Sequence, residues 1–322
     1  MNILLTGTAG FIGARTAELL LDDGHQVVGV DNLNDYYDLR VKEHRLDRLV
    51  SRPNFRFVHT DLEDRDAVHA LFKGASHDAV VNLAARAGVR ASIEDPHAYV
   101  ATNASGTLNL LESMVCNGVG KLVIASTSSL YAGQPMPFDE SAVVTRPISP
   151  YAASKLAAES LCYVWHHLHG LDVTILRYFT VYGPGGRPDM APFRFCEWIR
   201  RGEPITLHGD GNQTRDFTYI DDIARGTVAA LRPVGYEIIN LGGGNDPISI
   251  NEMIRELGGH FGRVPVVNHA PAVSADMQDT SANISKAARL LDWKPRIPWQ
   301  DGFRMTAAWH AEQGAWLDDI VM

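Results

Sequence analysis

The chain has 322 residues and a formal net charge of −9, and 45% of its residues are hydrophobic. This length allows a large core and two lobes, and the composition is that of an ordinary soluble globular protein. The acidic balance argues against a nucleic-acid partner, because phosphate backbones are bound by basic surfaces.

The cysteines and histidines indicate the cellular location and the kinds of site to expect. The three cysteines, Cys116, Cys162 and Cys196, are spaced neither as a disulfide framework nor as a zinc site. Reduced cysteines are typical of the cytoplasm, which is the location we expect. The thirteen histidines form no cluster with metal-ligand spacing, and no apolar run is long enough to cross a membrane. We therefore expect neither a metal ion nor a membrane partner.

The N-terminal residues predict a strand, a glycine turn, a helix and a second strand. Asn2–Thr6 is short and mostly apolar, Gly7–Gly13 reads Gly-Thr-Ala-Gly-Phe-Ile-Gly, a helix follows to about Leu21, and Gln26–Asp31 ends in an acid. This order is that of a dinucleotide-binding unit, in which glycines let the backbone approach a pyrophosphate at a helix N-terminus. Asp31 can accept hydrogen bonds from both ribose hydroxyls of an adenosine. Cofactor binding is therefore predicted here, although the same glycine spacing also forms plain tight turns.

Strands and helices continue to alternate through the first half of the chain. Strands are predicted at Phe55–His59, Ala79–Ala85, Lys121–Ser126 and Asp172–Tyr178, and a long helical region from about Pro96 to Asn117. Such alternation predicts a parallel, doubly wound sheet, whose ligands bind beyond the carboxyl ends of the strands. The residues at these predicted ends should ring one crevice: Gly7, Asp31, Asp61, Ala84, Thr127 and Tyr178.

The stretch Ser149–Lys155 places a phenol and an ammonium one helical turn apart. Ser149 suits the N-cap and Pro150 the first helical position, so Tyr151 and Lys155 share one helix face. A free tyrosine, with a pKa of about 10, is a poor base, but a fixed ammonium and a helix N-terminus both lower that pKa. This pair also occurs by chance on protein surfaces; the N-terminal glycine motif favours the catalytic interpretation.

The C-terminal part is less regular. After a Gly/Pro-rich break at 183–188, a helix is predicted near Phe193–Arg201 and a final helix over about Ser285–Leu291. The predicted fold class is α/β, with a doubly wound parallel-sheet Rossmann domain over residues 1–176. Residues 177–322 would form a smaller C-terminal substrate-binding lobe, with part of about 215–245 returning to the sheet.

Taken together, these residues resemble the extended short-chain dehydrogenase/reductase family of nucleotide-sugar epimerases and dehydratases. The motifs that carry the resemblance cover most of the chain: Thr6-Gly-x-x-Gly-Phe-Ile-Gly13, Asp61-Leu62, Asn82-Leu-Ala-Ala85, Asn103, Ser126-Thr127, Tyr151-x-x-x-Lys155 and Arg215-Asp-Phe-x-Tyr-Ile-Asp-Asp222. Within this family, Asp31–Asp38, Ala87–Pro96 and Arg187–Ala191 are most similar to segments of UDP-glucuronic acid 4-epimerases.

The resemblance implies a role for each matching residue. NAD would be held by Gly7, Gly10, Phe11, Ile12, Gly13, Asp31, Asn32, Asn34, Asp61, Leu62, Leu83, Ala84, Ala85, Asn103, Ser126, Tyr151, Lys155, Tyr178 and Val181. The UDP-sugar would be held by Val89, Arg90, Thr127, Ser128, Ser129, Tyr151, Thr180, Arg187, Met190, Arg215 and Asp276. Thr127, Tyr151 and Lys155 would be catalytic, with Lys155 binding the nicotinamide ribose and lowering the pKa of Tyr151.

The activity that the resemblance implies is that of an isomerase. UDP-glucuronate would become UDP-galacturonate by transient oxidation to a 4-keto sugar and hydride return to the opposite face, and two helices of each subunit would form a homodimer. UDP-glucose, alone or beside UDP-glucuronate, is the alternative substrate. A non-catalytic NAD-sensing protein ranks last, because it could dispense with Tyr151 and Lys155.

Departures from family patterns refine this expectation. Thr127-Ser128-Ser129 has no acid where sugar dehydratases carry Asp-Glu and UDP-xylose synthases carry a glutamate nearby, so dehydration and decarboxylation are disfavoured. These hydroxyls and Arg187 are candidate anchors for the sugar carboxylate, the alternatives being a solvated turn and a surface cation. Arg90 is equally well explained as a solvated loop residue. Ala272–Asp276 departs from the usual Gly-Asp of its segment.

Overall fold

A parallel sheet of seven strands forms the centre of the protein. The computed structural model describes residues 1–244, 247–273 and 275–322. The sheet strands are β1 (Asn2–Thr6), β2 (Gln26–Asp31), β3 (Phe55–His59), β4 (Ala79–Asn82), β5 (Lys121–Thr127), β6 (Asp172–Tyr178) and β11 (Tyr236–Leu241). Their order is β11-β6-β5-β4-β1-β2-β3, and all neighbours run parallel. The predicted α/β fold class is confirmed.

The helices are described next, in chain order. They are α1 (Phe11–Asp22), α2 (Leu39–Val50), α3 (Arg65–Phe72), α4 (Val89–Glu94), α5 (Pro96–Val100), α6 (Gly106–Cys116), α7 (Pro150–His169), α8 (Ala191–Arg201), α9 (Ile220–Ala229), α10 (Ile250–His260), α11 (Ser285–Leu291), α12 (Trp299–Glu312) and α13 (Gly314–Leu317). A π-helical turn, Ala101–Ser105, joins α5 to α6, and a 3₁₀ turn, Ser128–Tyr131, follows β5.

Three two-stranded ribbons complete the secondary structure of the described ranges. They pair β7 (Thr180–Tyr182) with β10 (Phe217–Tyr219), β8 (Ile205–His208) with β13 (Val267–Ala270), and β9 (Thr214–Arg215) with β12 (Ile248–Ser249).

The sheet is buried on both faces because its strands are almost uninterruptedly apolar. On β1, Ile3 and Leu5 face a core shared with α1, while Leu4 faces a second core shared with α3, α6 and α7. This alternation follows from the two-residue period of a strand. Helices on both faces are what keeps an all-parallel sheet out of water.

The chain returns to the sheet late. Tyr236–Leu241 lies within the stretch for which a return was predicted, and it pairs with β6 from Tyr236↔Val173 to Leu241↔Tyr178. A third core, beside the carboxyl ends of the strands, joins α8, α10 and α12 through residues such as Phe195, Met253 and Phe303. The division of the chain at residue 176 into two domains stays a prediction.

Two predicted elements need correction. The strand at Ala79 ends at Asn82 rather than Ala85, because the Asn82 side chain bonds to Thr6 and Thr107 and the backbone then leaves the sheet. The helix Ser285–Leu291 is not the last, since α12 and α13 follow it. In the part of the chain that the structure describes, no helix is long and apolar enough to traverse a bilayer.

Candidate active site

The carboxyl ends of the sheet strands open into a cavity of about 940 Å³. Every residue predicted to contact cofactor or substrate lines it, with the exception of Asn103. The strands deliver these side chains from distant parts of the sequence, as expected for ligands that sit beyond the carboxyl edge of a doubly wound sheet.

One end of the cavity is formed by the glycine turn between β1 and α1. Gly7 has φ +71°, and a Cβ placed there would meet the Ala84 backbone nitrogen at 2.6 Å. A Cβ on Gly13 would lie 2.0 Å from the Gly7 carbonyl oxygen. Only glycine satisfies both constraints. Gly10 caps α1 without a side-chain hydrogen bond within the described chain, so the amides of the first helical turn face the cavity.

Asp31, at the end of β2, is the most connected acid of this end. Its carboxylate accepts from the amides of Ala9 (3.1 Å) and Leu33 (2.9 Å). The Lys42 ammonium, from α2, lies 3.6 Å away and donates to Asn34 Oδ1 at 3.1 Å. The position of Asp31 is therefore fixed by backbone and by a buried cation.

The neighbouring polar residues form one chain of hydrogen bonds. Asn32 donates to Asp61 Oδ2 at 2.7 Å and accepts from the Asn34 side chain at 2.8 Å. Leu62 is buried beneath them at the start of the loop after β3. Leu83, Ala84 and Ala85 line the cavity from the segment that leaves the sheet after β4.

Asn103 has a different position. It lies in the π-helical turn, is 1% exposed, and donates to the Arg86 carbonyl and to Ser154 Oγ, each at 2.9 Å. Its Oδ1 accepts from the Arg86 amide at 2.9 Å. With these three contacts the side chain ties the segment after β4 to helix α7, and it supports the cavity wall without lining it.

Helix α7 begins as the sequence predicted. Ser149 Oγ accepts from the Ala152 amide at 3.2 Å, and Pro150 is the first helical residue. Tyr151 and Lys155 both line the cavity one turn apart. The local sequence alone therefore places this pair, since the cap, the proline and the alanine-rich turn agree.

The Lys155 side chain is anchored to the backbone of β5. Its ammonium donates to the Ala125 carbonyl oxygen at 3.1 Å. Burial lowers its pKa to about 8, although Glu159 acts in the opposite direction. Glu159 itself accepts from Ser126 Oγ at 2.5 Å and pairs with Arg177.

Burial also determines the direction of the shift in the pKa of Tyr151. It raises that pKa, while the Thr127 hydroxyl and the Arg187 guanidinium act in the opposite direction. Thr127 Oγ1 also accepts from the Ser129 amide at 3.1 Å. Lys155 is not among the groups that act on the pKa of Tyr151 here, and its role toward the phenol stays a prediction.

Residues after β6 line the same wall. The Tyr178 hydroxyl shares a 2.8 Å hydrogen bond with Thr227 Oγ1, so its polar end is engaged inside the protein. Thr180 and Val181 follow on β7 and line the cavity together with Ser128.

The loop between β7 and α8 carries the cation nearest to this wall. Arg187 forms a bidentate ion pair with Asp189, with Nε–Oδ1 at 3.0 Å and Nη2–Oδ2 at 2.5 Å. It also donates to the Ala87 carbonyl and stacks over Tyr36, 5.6 Å from the ring centroid. Burial disfavours the charged form, but Asp189 outweighs it and the pKa of Arg187 is raised. Met190 follows as the residue that precedes α8.

Two further cations, Arg215 and Arg90, also line the cavity. Burial lowers the pKa of Arg215, whose guanidinium donates to the carbonyls of Thr214 (2.7 Å) and Gln278 (3.1 Å). Arg90, preceded by Val89 on α4, forms an ion pair with Asp276 at 2.6 Å. Arg90 therefore has a defined partner, and it links α4 to the loop after β13.

A family model described as the NAD-dependent epimerase/dehydratase family matches residues 3–242. The chain belongs to this family. A UDP-glucuronate 4-epimerase of Thermodesulfobacterium geofontis is 55% identical over 309 residues, which are 96% of each chain. The family resemblance stated from the sequence motifs is thereby confirmed, as is NAD as the cofactor.

Solved structures of this family share the fold over nearly the whole chain. A UDP-glucuronic acid 4-epimerase of Bacillus cereus, in complex with UDP-glucuronic acid and NAD, is 38% identical with a TM-score of 0.92. The match covers 97% of this chain and 99% of that one. A UDP-glucose 4-epimerase of Thermotoga maritima with UDP-glucose is 31% identical with a TM-score of 0.89 and the same coverages.

The site of this family member has the features that NAD requires. The Gly7 and Gly13 contacts leave no room for side chains where a pyrophosphate would lie, and the first turn of α1 offers its amides there. Asp31 presents a carboxylate suited to ribose hydroxyls. Lys155, 4% exposed, points an ammonium into the same cavity.

Several residues of the site were not found from the sequence. Lys42, Tyr36 and Asp189 line the cavity, and Arg45 supports it from beneath. Arg45, 3% exposed, donates to the carbonyls of Ala9, Gly185 and Gly186. A charged residue at a buried position of an amphipathic helix can indicate a site residue. Both Lys42 and Arg45 occupy such positions on α2.

Proposed function

We propose that this protein is an NAD-dependent isomerase that interconverts UDP-glucuronate and UDP-galacturonate at C4. The observation that carries the proposal is that Tyr151, Thr127 and Arg187 line one cavity, which extends to the glycine turn. A base, a hydroxyl and a guanidinium are what the oxidation of an acidic sugar alcohol requires. The relatives named above support the same reaction.

The residues divide the reaction between them. NAD, which the glycine turn and Asp31 would hold, would supply the hydride acceptor and donor for C4. Tyr151 removes the proton of the C4 hydroxyl and gives it back after the 4-keto sugar has turned over. Thr127 donates or accepts beside the phenol, and the ammonium of Lys155 favours the phenolate when its distance to the ring shortens.

Holding the carboxylate prevents a side reaction. The 4-keto glucuronate is a β-keto acid, which loses CO2 when the carboxylate bond aligns with the carbonyl π system. Thr127, Ser128, Ser129 and Arg187 line the wall where the C5 substituent would be held. Hydrogen bonds from these groups fix the carboxylate away from that alignment, which favours epimerisation over decarboxylation.

UDP-glucose is the second candidate substrate. The observation that favours it is the Arg187–Asp189 pair, since a guanidinium already neutralised by a carboxylate attracts an acidic sugar less strongly than a free one. Incubating the purified protein with each sugar and resolving the products by chromatography decides between the two. Formation of UDP-galacturonate is the expected result; conversion of UDP-glucose alone would overturn the proposal.

We further propose a homodimer and a cytoplasmic location. Val164 (41% exposed) and Leu168 (64% exposed) on α7, and Val100 on α5, which packs against α7, are exposed apolar side chains, and contact between copies would bury them. Light scattering on wild type, Leu168→Asp and the control Val264→Asp tests the dimer, which only the first variant should dissociate. Cys116, Cys162 and Cys196 are all free, which suits a reducing compartment.

A further inference from the structure

The guanidinium of Arg187 is largely occupied by its own loop. Nε and Nη2, the two donors of its side-on edge, bond to the two carboxylate oxygens of Asp189, and Nη2 also donates to the Ala87 carbonyl. Within the described ranges Nη1 has no hydrogen-bond partner. A sugar carboxylate can therefore pair with the side-on edge only if Asp189 is displaced, and with the end-on edge of Nη1 and Nη2 only if the Ala87 bond is broken.

The surroundings hold this pair in place. The ring of Tyr36 lies against the guanidinium, 5.6 Å from centroid to Cζ, and the side chains of Arg187 and Asp189 are 19% and 23% exposed. Because solvent screens these two side chains only partly, their charges interact more strongly than they would in bulk water. Both residues line the cavity, so a bound sugar acid meets the acid of Asp189 as well as the base of Arg187.

We propose that Asp189 is a specificity-determining residue, which competes with the acidic sugar for Arg187 and moderates the preference for UDP-glucuronate over UDP-glucose. The inference rests on the proposed function. A neutral 6-hydroxymethyl group has no charge for Asp189 to repel, whereas a C6 carboxylate faces an equal charge beyond the guanidinium. The preference between the two sugars is thereby set by two residues that are two positions apart.

Removal of the Asp189 charge should strengthen binding of UDP-glucuronate both with and without Arg187, for a different reason in each background. With Arg187 present, removal of the Asp189 charge frees the side-on edge for the substrate and strengthens binding of UDP-glucuronate. With Arg187 absent, the uncompensated Asp189 repels the sugar acid, and its removal relieves that repulsion. A residue that only orients Arg187 would have no effect in the second background, so the two roles are separable.

The experiment is a double-mutant cycle read out by binding. Dissociation constants for UDP-glucuronate and UDP-glucose are measured by calorimetry for Asp189→Asn, Arg187→Ala and the double variant, all in the holoenzyme carrying Tyr151→Phe to suppress turnover. Asp23→Asn, an exposed acid outside the cavity, is the net-charge control. UDP-glucose binding and a thermal melt report folding, and Asp189→Ser replaces Asp189→Asn if the latter does not fold.

The expected result is selective for the acidic sugar. Asp189→Asn tightens UDP-glucuronate binding on the order of 10-fold relative to UDP-glucose, and the double variant binds UDP-glucuronate more tightly than Arg187→Ala does. Equal affinities of those two variants, or weaker UDP-glucuronate binding by Asp189→Asn, would overturn the inference. Failure of the wild type to form UDP-galacturonate would refute the proposed function instead, since the binding cycle does not depend on turnover.

Discussion

The Lys42 ammonium lies 3.6 Å from Asp31 Oδ1, and both residues line the cavity. An isolated acid at the end of β2 would explain a preference for NAD by repulsion of a 2′-phosphate alone. With the buried Lys42 ammonium beside Asp31, a 2′-phosphate would meet both a negative and a positive charge. One substitution can therefore change the preference between NAD and NADP.

Asp31→Asn should raise the preference for NADP over NAD by roughly 10-fold, because Lys42 then faces a 2′-phosphate without a competing carboxylate. Dissociation constants of both cofactors for the stripped protein measure this. The control Asp31→Asn/Lys42→Met should lose the gain. NADP binding that is equal in both variants would show that Lys42 does not reach the cofactor. The wild type, denatured to release its cofactor, should yield NAD.

Tyr151→Phe should keep the fold and the bound cofactor while losing about 10²–10⁴-fold in kcat, since general acid–base catalysis is typically of that size. Product formation from UDP-glucuronate and retention of cofactor by the purified variant are the two measurements. Epimerisation at the wild-type rate would remove Tyr151 from the mechanism.

The rate should fall as pH rises through about 8. Burial holds the pKa of Lys155 near that value, so the ammonium is present below it and is lost above it, together with its support of the phenolate. A pH profile of kcat shows the alkaline limb. Lys155→Arg keeps the positive charge at high pH, so its residual activity should lack that limb; an identical profile would assign the limb to another group.

Arg187→Ala should increase the fraction of the 4-keto sugar that is lost as CO2. A charge-assisted hydrogen bond to the carboxylate is worth about 1.5–3 kcal/mol, and without it the carboxylate can rotate into alignment with the carbonyl. The pentose by-product is quantified by chromatography in wild type and variant, with Arg187→Lys as the control that retains a point charge. An unchanged by-product fraction would leave Arg187 with a structural role only.

Glu197→Gln should destabilise the protein by about 3–5 kcal/mol, as expected when one partner of a buried charged pair is removed. Glu197 is fully buried and forms an ion pair with Arg200 at 2.8 Å. It also bonds to His310 Nδ1 at 2.6 Å, where burial lowers the pKa of the imidazole and favours its neutral form. Although burial opposes it, these bonds lower its pKa to about 2. Wild-type stability should therefore decline as pH falls from about 4.5 toward 2.

Urea unfolding at neutral and acid pH measures this loss, which should be smaller in Glu197→Gln because that variant lacks this titrating carboxylate. Asp318→Asn is the control: Asp318 also pairs with Arg200 but is 58% exposed, so its removal should cost less than about 1 kcal/mol. A Glu197→Gln variant as stable as wild type would show that the pair contributes nothing net.

Local chemistry explains what the sequence could predict. The glycine turn, Asp31 at a strand end, and the cap that places Tyr151 and Lys155 on one face each depend on a few adjacent residues. The hydrogen-bond partners of long side chains do not depend on adjacent residues alone. Lys155 bonds to Ala125 and Arg187 to Asp189, and the choice among several possible acceptors is made only when the elements pack.

The same reasoning applies to the residues that were placed differently. Asn103 carries a family motif, but the π-helical turn in which it lies directs its amide to Arg86 and Ser154. Strand β4 was predicted three residues too long because Leu83–Ala85 is as apolar as the strand before it. Apolar residues that line a ligand cavity have the composition of a buried strand, and composition alone does not separate the two.

Arg45 joins two regions that an engineer would treat as independent. One guanidinium bonds to Ala9 O of the cofactor turn (3.2 Å) and to the carbonyls of Gly185 and Gly186 (2.8 Å each), directly before Arg187. A redesign of cofactor preference that disturbs α2 would therefore also shift the loop that carries Arg187. A variant library screened for sugar preference would, for the same reason, select against changes at residue 45. Preference for the cofactor and preference for the sugar are therefore coupled through Arg45.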